Sequence, residues 1–327
     1  MTPGSSMWWA AMRTMAIASV LSWPAVAHAT LVPPFFINSV VALGAMVPVI
    51  EVGVPPHLEW RTVGTGFFYG YLIQDDPDPA KRKYETYLVT AKHVVQSFIL
   101  ENKPVSVRVN PKEASSEGRE FEIANQAQPG SGTWFCHPNP KVDIAAVPIN
   151  FVYLKEQGIE PNAFASDLHV ADRKKLSELD VTAGDGVFVL GFPMGLSGAQ
   201  RNYVIVRQGA IARISEMLDK ASPSFMIDAL VFPGNSGGPV VLRPEITSIA
   251  NTKSQATSFL VGVVIDYRSY IDTAVSQQTK RPRITFEENS GLAEVLPVDV
   301  VNEAIKAWDD NNKPTALDTN CRSPTGP

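Results

Sequence analysis

The chain has 327 residues, with 28 Lys and Arg against 33 Asp and Glu and a formal net charge of −5. That balance excludes the basic surface that draws nucleic acid or an anionic membrane. Hydrophobic residues make up 45%, ordinary for a globular protein and too many for a disordered one, and the length allows two folded units or one large all-β unit. The two cysteines, Cys136 and Cys321, are too few for a disulfide scaffold or a cysteine-built zinc site.

Arg13 is the only charged side chain before Glu51. It precedes the apolar stretch 15–21, a break at Pro24, and the small-x-small pattern Ala27-His28-Ala29. A charged start, a short apolar core and that ending predict a secretory signal over 1–29, hence a periplasmic or extracellular protein with no membrane span after cleavage. A retained anchor is the alternative, but the apolar core falls short of the roughly 18 residues a spanning helix needs. Export places Cys136 and Cys321 where they can pair; the sequence leaves two separate thiols equally open.

Short β-rich runs follow, punctuated by Gly, Pro, Asn and Asp: 37–43, 65–73, 84–89, 105–109, 121–124, 143–147, 187–191, 203–214, 225–230, 240–242, 259–266 and 292–296. Many short strands with few helices imply sandwich or barrel layers. One helix is expected near the end, over 298–309, with Pro297 to open it, Asp299 in its first turn, and Val300, Val301, Ala304, Ile305 and Trp308 on one face. The polar, Pro-rich 311–327 reads as a loose tail.

The strongest local signal is Phe232-Pro233-Gly234-Asn235-Ser236-Gly237-Gly238-Pro239. Glycines around a serine let backbone N–H groups converge on a developing oxyanion, with Gly234 and Ser236 as the natural donors. Taken alone, the segment also reads as a Gly-rich turn between two strands. A serine nucleophile needs a base. Of the five histidines, His93 follows the apolar run 87–89 where a sheet can aim it, while His57, His137 and His169 read as surface or packing residues and His28 leaves with the signal. Asp143 opens an apolar strand and suits a carboxylate that orients the base. Gly234-x-Ser236-x-Gly238 also fits the nucleophile elbow of α/β-hydrolases. That fold puts its histidine after the serine and a helix behind it; here no histidine follows Ser236 and 240–242 reads as strand. The order His93, Asp143, Ser236 is that of the double-barrel proteases.

With these residues in hand, the chain resembles a trypsin-like serine peptidase of the HtrA/Do type. Gly64-Thr65-Gly66-Phe67, the block from Tyr87 to Val95, the block from Val187 to Gly195, and Met226-Ile227-Asp228-Ala229 leading into Gly234–Pro239 carry the likeness. The resemblance implies an all-β fold of two six-stranded antiparallel barrels with a C-terminal helix, the N-terminal barrel over about 36–155 and the C-terminal one over about 179–298, in a protease domain spanning 30–310. It implies His93 as base then acid, Asp143 as its orienter, Ser236 as nucleophile, and an oxyanion hole of Gly234, Ser236 and Asn235. No metal or cofactor is implied.

Asn235 stands where animal relatives carry an acid that pairs with a clipped N-terminus, so activation by clipping is not expected. Lys92 is expected to add charge at the cleft rim. Too little chain follows the helix for the PDZ module usual in this type, which would need about 50 residues or more. Leu230, six residues before the serine, is expected to floor the specificity pocket and favour small or medium apolar side chains; Glu294, if it faced the pocket, would reverse this. Val264 and Ile265 are expected to edge the cleft and pair with extended substrate. The expected function is an exported serine endopeptidase acting on unfolded or extended polypeptides, the alternative a latent, peptide-binding or chaperone-like protein of the same fold.

Overall fold

The computed structural model describes residues 30–50, 53, 55–123, 134–245, 254–310 and 319–322. The expected signal segment, 1–29, lies outside them, as does most of the tail. No helix among the described residues is long and apolar enough to cross a membrane.

The fold is the expected all-β one. Its first half contains β1 (Val40–Val49), β2 (His57–Gln74), β3 (Lys83–Thr90), β4 (Val105–Val109), β5 (Arg119–Ile123), β6 (Phe135–Cys136), β7 (Ala145–Pro148) and β8 (Phe164–Ala165). They form one sheet in the order β5-β4-β1-β2-β3-β7-β6, with β8 added parallel to β2. Val107 of β4, Ile123 of β5, Cys136 of β6 and Val147 of β7 share one core cluster, so the sheet curls around its own interior. The second half contains β9 (Gly186–Gly191), β10 (Ile205–Arg213), β11 (Phe225–Asp228), β12 (Pro239–Leu242), β13 (Leu260–Val275) and β14 (Pro282–Pro297), closed into a six-stranded barrel in the order β10-β11-β14-β13-β12-β9. Closure removes the exposed edges that open sheets must protect.

The helices are α1 (Pro34–Asn38), α2 (Lys92–Leu100), α3 (Phe151–Glu156), α4 (Arg173–Glu178), α5 (Ser215–Leu218) and α6 (Asp299–Asp310). The strand expected over 37–43 starts three residues later. Pro34 occupies the first turn of α1, where a missing N–H costs nothing, and Ser39 closes that turn by donating Oγ–H to the Phe35 carbonyl at 2.7 Å. Helix α6 buries Val300, Val301, Ala304, Ile305 and Trp308, and the Trp308 ring stacks on Phe135 at 4.6 Å.

A single apolar cluster joins the halves. It takes Phe67 and Tyr69 from the first sheet, Leu190 and Val263 from the barrel, and Trp308 from α6. Cys136 of β6 is disulfide-bonded to Cys321, with a Cα–Cα distance of 5.2 Å, so the pairing left open by the sequence is present. Strands β13 and β14 run well beyond the expected 259–266 and 292–296. Their buried bases carry the apolar pattern, and an exposed ribbon continues to Val275 and Pro282.

Candidate active site

Strand β3 ends at Thr90, and the chain turns at Ala91 so that His93 falls in the first turn of α2. The first N–H groups of a helix have no intrahelical partner. Asp143 satisfies one of them, its Oδ1 accepting from the His93 backbone N–H at 2.9 Å. Its Oδ2 lies 2.6 Å from His93 Nδ1. One carboxylate thereby fixes both backbone and ring, and Nε2 is left as the nitrogen able to take a proton.

The Asp143 side chain is only 12% exposed, so its charge is poorly solvated and depends on these partners. Burial opposes charging of the His93 imidazole, but the hydrogen bond and charge of Asp143, with Asp266 adding, outweigh it. The His93 pKa is therefore raised above its ordinary value of 6.5.

Lys92 does not sit at the rim as expected. It is fully buried, and its Nζ donates to the Pro140 carbonyl at 2.7 Å. Its stem turns inward from the helix start, and the ammonium braces the turn that delivers Asp143; its backbone N–H donates to the Asp143 carbonyl at 3.3 Å.

Ser236 sits in the tight loop between β11 and β12. Gly234 has φ +98°, and a Cβ there would lie 2.3 Å from the Phe192 carbonyl oxygen; Gly237 has φ +82°. Both conformations favour glycine. The Pro233 carbonyl accepts from Met194 N–H at 2.6 Å. In a trans peptide the N–H points the opposite way, so Gly234 N–H is directed away from Met194. Neither Gly234 N–H nor Ser236 N–H makes a hydrogen bond among the described residues.

Asn235 differs from its expected place in the oxyanion hole. Its N–H donates to the Phe232 carbonyl at 2.9 Å, its Oδ1 accepts from Phe232 N–H at 3.0 Å, and the residue is fully buried. The chain must fold back here to make the loop, and Asn235 spends its donor on that turn.

Thr65 of β2, which the sequence marked only as part of a block, crosses from the first half to hold this loop. Its N–H donates to the Ser236 carbonyl at 3.0 Å, and its Oγ1 donates to the Gly234 carbonyl at 2.6 Å while accepting from Phe192 N–H at 3.1 Å. Thr90 Oγ1 in turn donates to the Thr65 carbonyl at 2.7 Å. From the other side, Gly237 N–H donates to the Val264 carbonyl at 2.8 Å. A hydroxyl between two glycines, just ahead of Phe67 and Phe68, was the available clue to Thr65.

His93, Asp143 and Ser236 line one cleft of about 670 Å³, with Val264, Ile265 and Glu294 on its wall. No hydrogen bond joins His93 to Ser236 among the described residues, as is common in catalytic sites without substrate. Val264 is committed to the serine loop through both backbone groups, whereas Ile265 falls at a bulge in the β13–β14 ladder. Leu230 is not the floor of this cleft. It is 50% exposed, because β11 ends at Asp228 and the following loop turns its side chain to solvent. The remaining histidines stand apart. His57 is exposed beside Glu59, His137 bonds Glu303, and His169 packs on Phe35.

A family model described as a trypsin-like peptidase domain matches residues 64–245, more than half of the chain. Among solved structures, that titled "Crystal structure of Rv3671c protease, inactive form" is similar at 16% identity and a TM-score of 0.39, covering 84% of this chain and 92% of that one. No curated protein matches significantly. The match runs from Gly64 of β2 through the Ser236 loop, and on it the chain belongs to the trypsin-like peptidase domain family.

Proposed function

We propose that this protein is a serine endopeptidase that cleaves extended or unfolded polypeptides after export to the periplasm or the extracellular space. The observation that carries the reading is the two-point grip of Asp143 on His93, in the same cleft as Ser236 and beside two uncommitted N–H groups.

In this reading His93 Nε2 takes the Ser236 Oγ proton as Oγ adds to the substrate carbonyl carbon. The negative charge that forms on the carbonyl oxygen meets Gly234 and Ser236 N–H. Collapse breaks the C–N bond, and His93 gives its proton to the departing amine. Water then attacks the Ser236 ester, His93 again takes the proton, and returning it to Oγ releases the new carboxylic acid. Asp143 holds the ring and stabilises the imidazolium throughout. Strand β13 at Ile265 is the edge against which an extended substrate would lie. The charged, apolar and small-residue start of the chain supports export, as does a disulfide, which persists in oxidising compartments.

The test is a serine-reactive fluorophosphonate probe on the purified chain. Covalent labelling should appear in the wild type and be lost in Ser236→Ala and in His93→Ala. A folded wild type that takes no label would leave a peptide-binding protein of the same fold instead.

A further inference from the structure

The pocket beside Ser236 holds a fixed carboxylate where the sequence suggested an apolar floor. Along the base of β14, Ala293 and Val295 are fully buried in the barrel core, so the alternation of a strand turns Glu294 outward to the cleft. Its cross-strand partner on β13 is Asp266, which shares that wall. Two carboxylates directly opposite each other repel.

Glu294 is held from one side by Ser224, whose Oγ donates to Oε1 at 2.6 Å, and its side chain is only 19% exposed. Its other oxygen is covered by Arg268, with the guanidinium NH2 group 2.5 Å from Oε2. The Arg268 side chain is itself 58% exposed. The arrangement is therefore asymmetric: a carboxylate built into the wall and a counter-ion that can swing into water. Exposed ion pairs of this sort are weak and screened.

Resting on the peptidase reading above, we infer that this pocket recognises a cationic side chain, Lys or Arg, on the acyl side of the cut bond. Glu294 is the specificity-determining residue and Arg268 an internal stand-in that the substrate displaces. The substrate main chain, held along β13, delivers its side chain to Glu294 already positioned, so the ammonium or guanidinium replaces Arg268 at little entropic cost. Lys141 lines the same cleft. It precedes Asp143 in the chain, outside the β13–β14 wall that presents Glu294.

The experiment compares kcat/KM for internally quenched peptides identical except for Lys, Arg, Gln, Leu or Ala at the residue before the cut, using the full chain. Lys and Arg peptides should exceed Gln and Leu peptides by about ten-fold or more. Glu294→Gln should collapse that ratio, and Arg268→Ala, which removes the competitor, should widen it. Fluorophosphonate labelling is read in parallel on every variant. Labelling with no preference for Lys or Arg, or with a ratio that neither substitution moves, overturns the specificity assignment while leaving the nucleophile intact. Loss of labelling in the wild type overturns the catalytic reading itself.

Discussion

At the scale of single residues, His93 faces two carboxylates that act on it differently. Asp143 bonds the ring, whereas Asp266 reaches it only through its charge. On the proposed reading His93 is the general base, which works in its neutral form, so activity should fall as pH drops through the His93 pKa. Because that pKa is raised, the acid limb of kcat/KM should have its midpoint above 6.5. Removing the Asp266 charge in Asp266→Asn destabilises the imidazolium, and the midpoint should move to lower pH. A pH–rate profile of the two proteins on one Lys peptide checks this; an unmoved midpoint would show that the Asp266 field does not reach the ring.

The residues of this site differ in how openly the sequence displays them. His93, Asp143 and Ser236 stand out because each breaks a local pattern: an imidazole after an apolar strand, an acid opening one, a hydroxyl among glycines. Leu230 and Lys92 misled for a shared reason. Where a side chain points depends on the last residue of a strand or the first turn of a helix, and boundaries are the least legible feature of a sequence. Glu294 was visible as an outlier in an apolar strand, but its partners Ser224 and Arg268 lie on other strands or loops, and only register brings them to it.

At the scale of elements, strand β2 links the two halves of the site through Thr65. The hydroxyl and N–H of one buried residue hold the carbonyls on either side of Asn235, which fixes the 234–235 and 236–237 peptides and so pins the loop that carries the N–H groups of Gly234 and Ser236. Thr65 is thus a positioning residue. Thr65→Val keeps the shape and removes the hydroxyl, leaving the Gly234 carbonyl and Phe192 N–H without that partner. We expect kcat to fall roughly ten- to hundred-fold with KM little changed, since the oxyanion forms after binding. Thr65→Ser, which restores the hydroxyl, should recover most of the rate. A uniform rise in KM, or failure of serine to rescue, would assign Thr65 to packing alone. The strands themselves were largely legible as short β-rich runs between turn residues. The short β6 and β8, two residues each, were not, since so short a run carries no period.

At the scale of the whole molecule, the disulfide ties distant parts of the chain together. Cys136 and Cys321 are separated by 185 residues and are both buried in the core of the first sheet. Cys136 ends β6, just before the turn that leads to Asp143, and Cys321 sits in the short turn Thr319–Arg322. A cross-link over so long a loop restricts the unfolded chain and stabilises the fold by about 2–4 kcal/mol. Cys321→Ser should therefore lower Tm by roughly 5–15 °C. Dithiothreitol should lower the wild-type Tm to the same value and leave the variant unmoved. His93, Asp143 and Ser236 are positioned by hydrogen bonds that do not pass through the sulfurs, so fluorophosphonate labelling of the variant at 25 °C should persist well below its new midpoint. A wild type whose Tm ignores reductant would show that the two thiols are not joined in solution. Loss of labelling in a variant still folded by circular dichroism would show instead that the bridge holds the Asp143 turn in place.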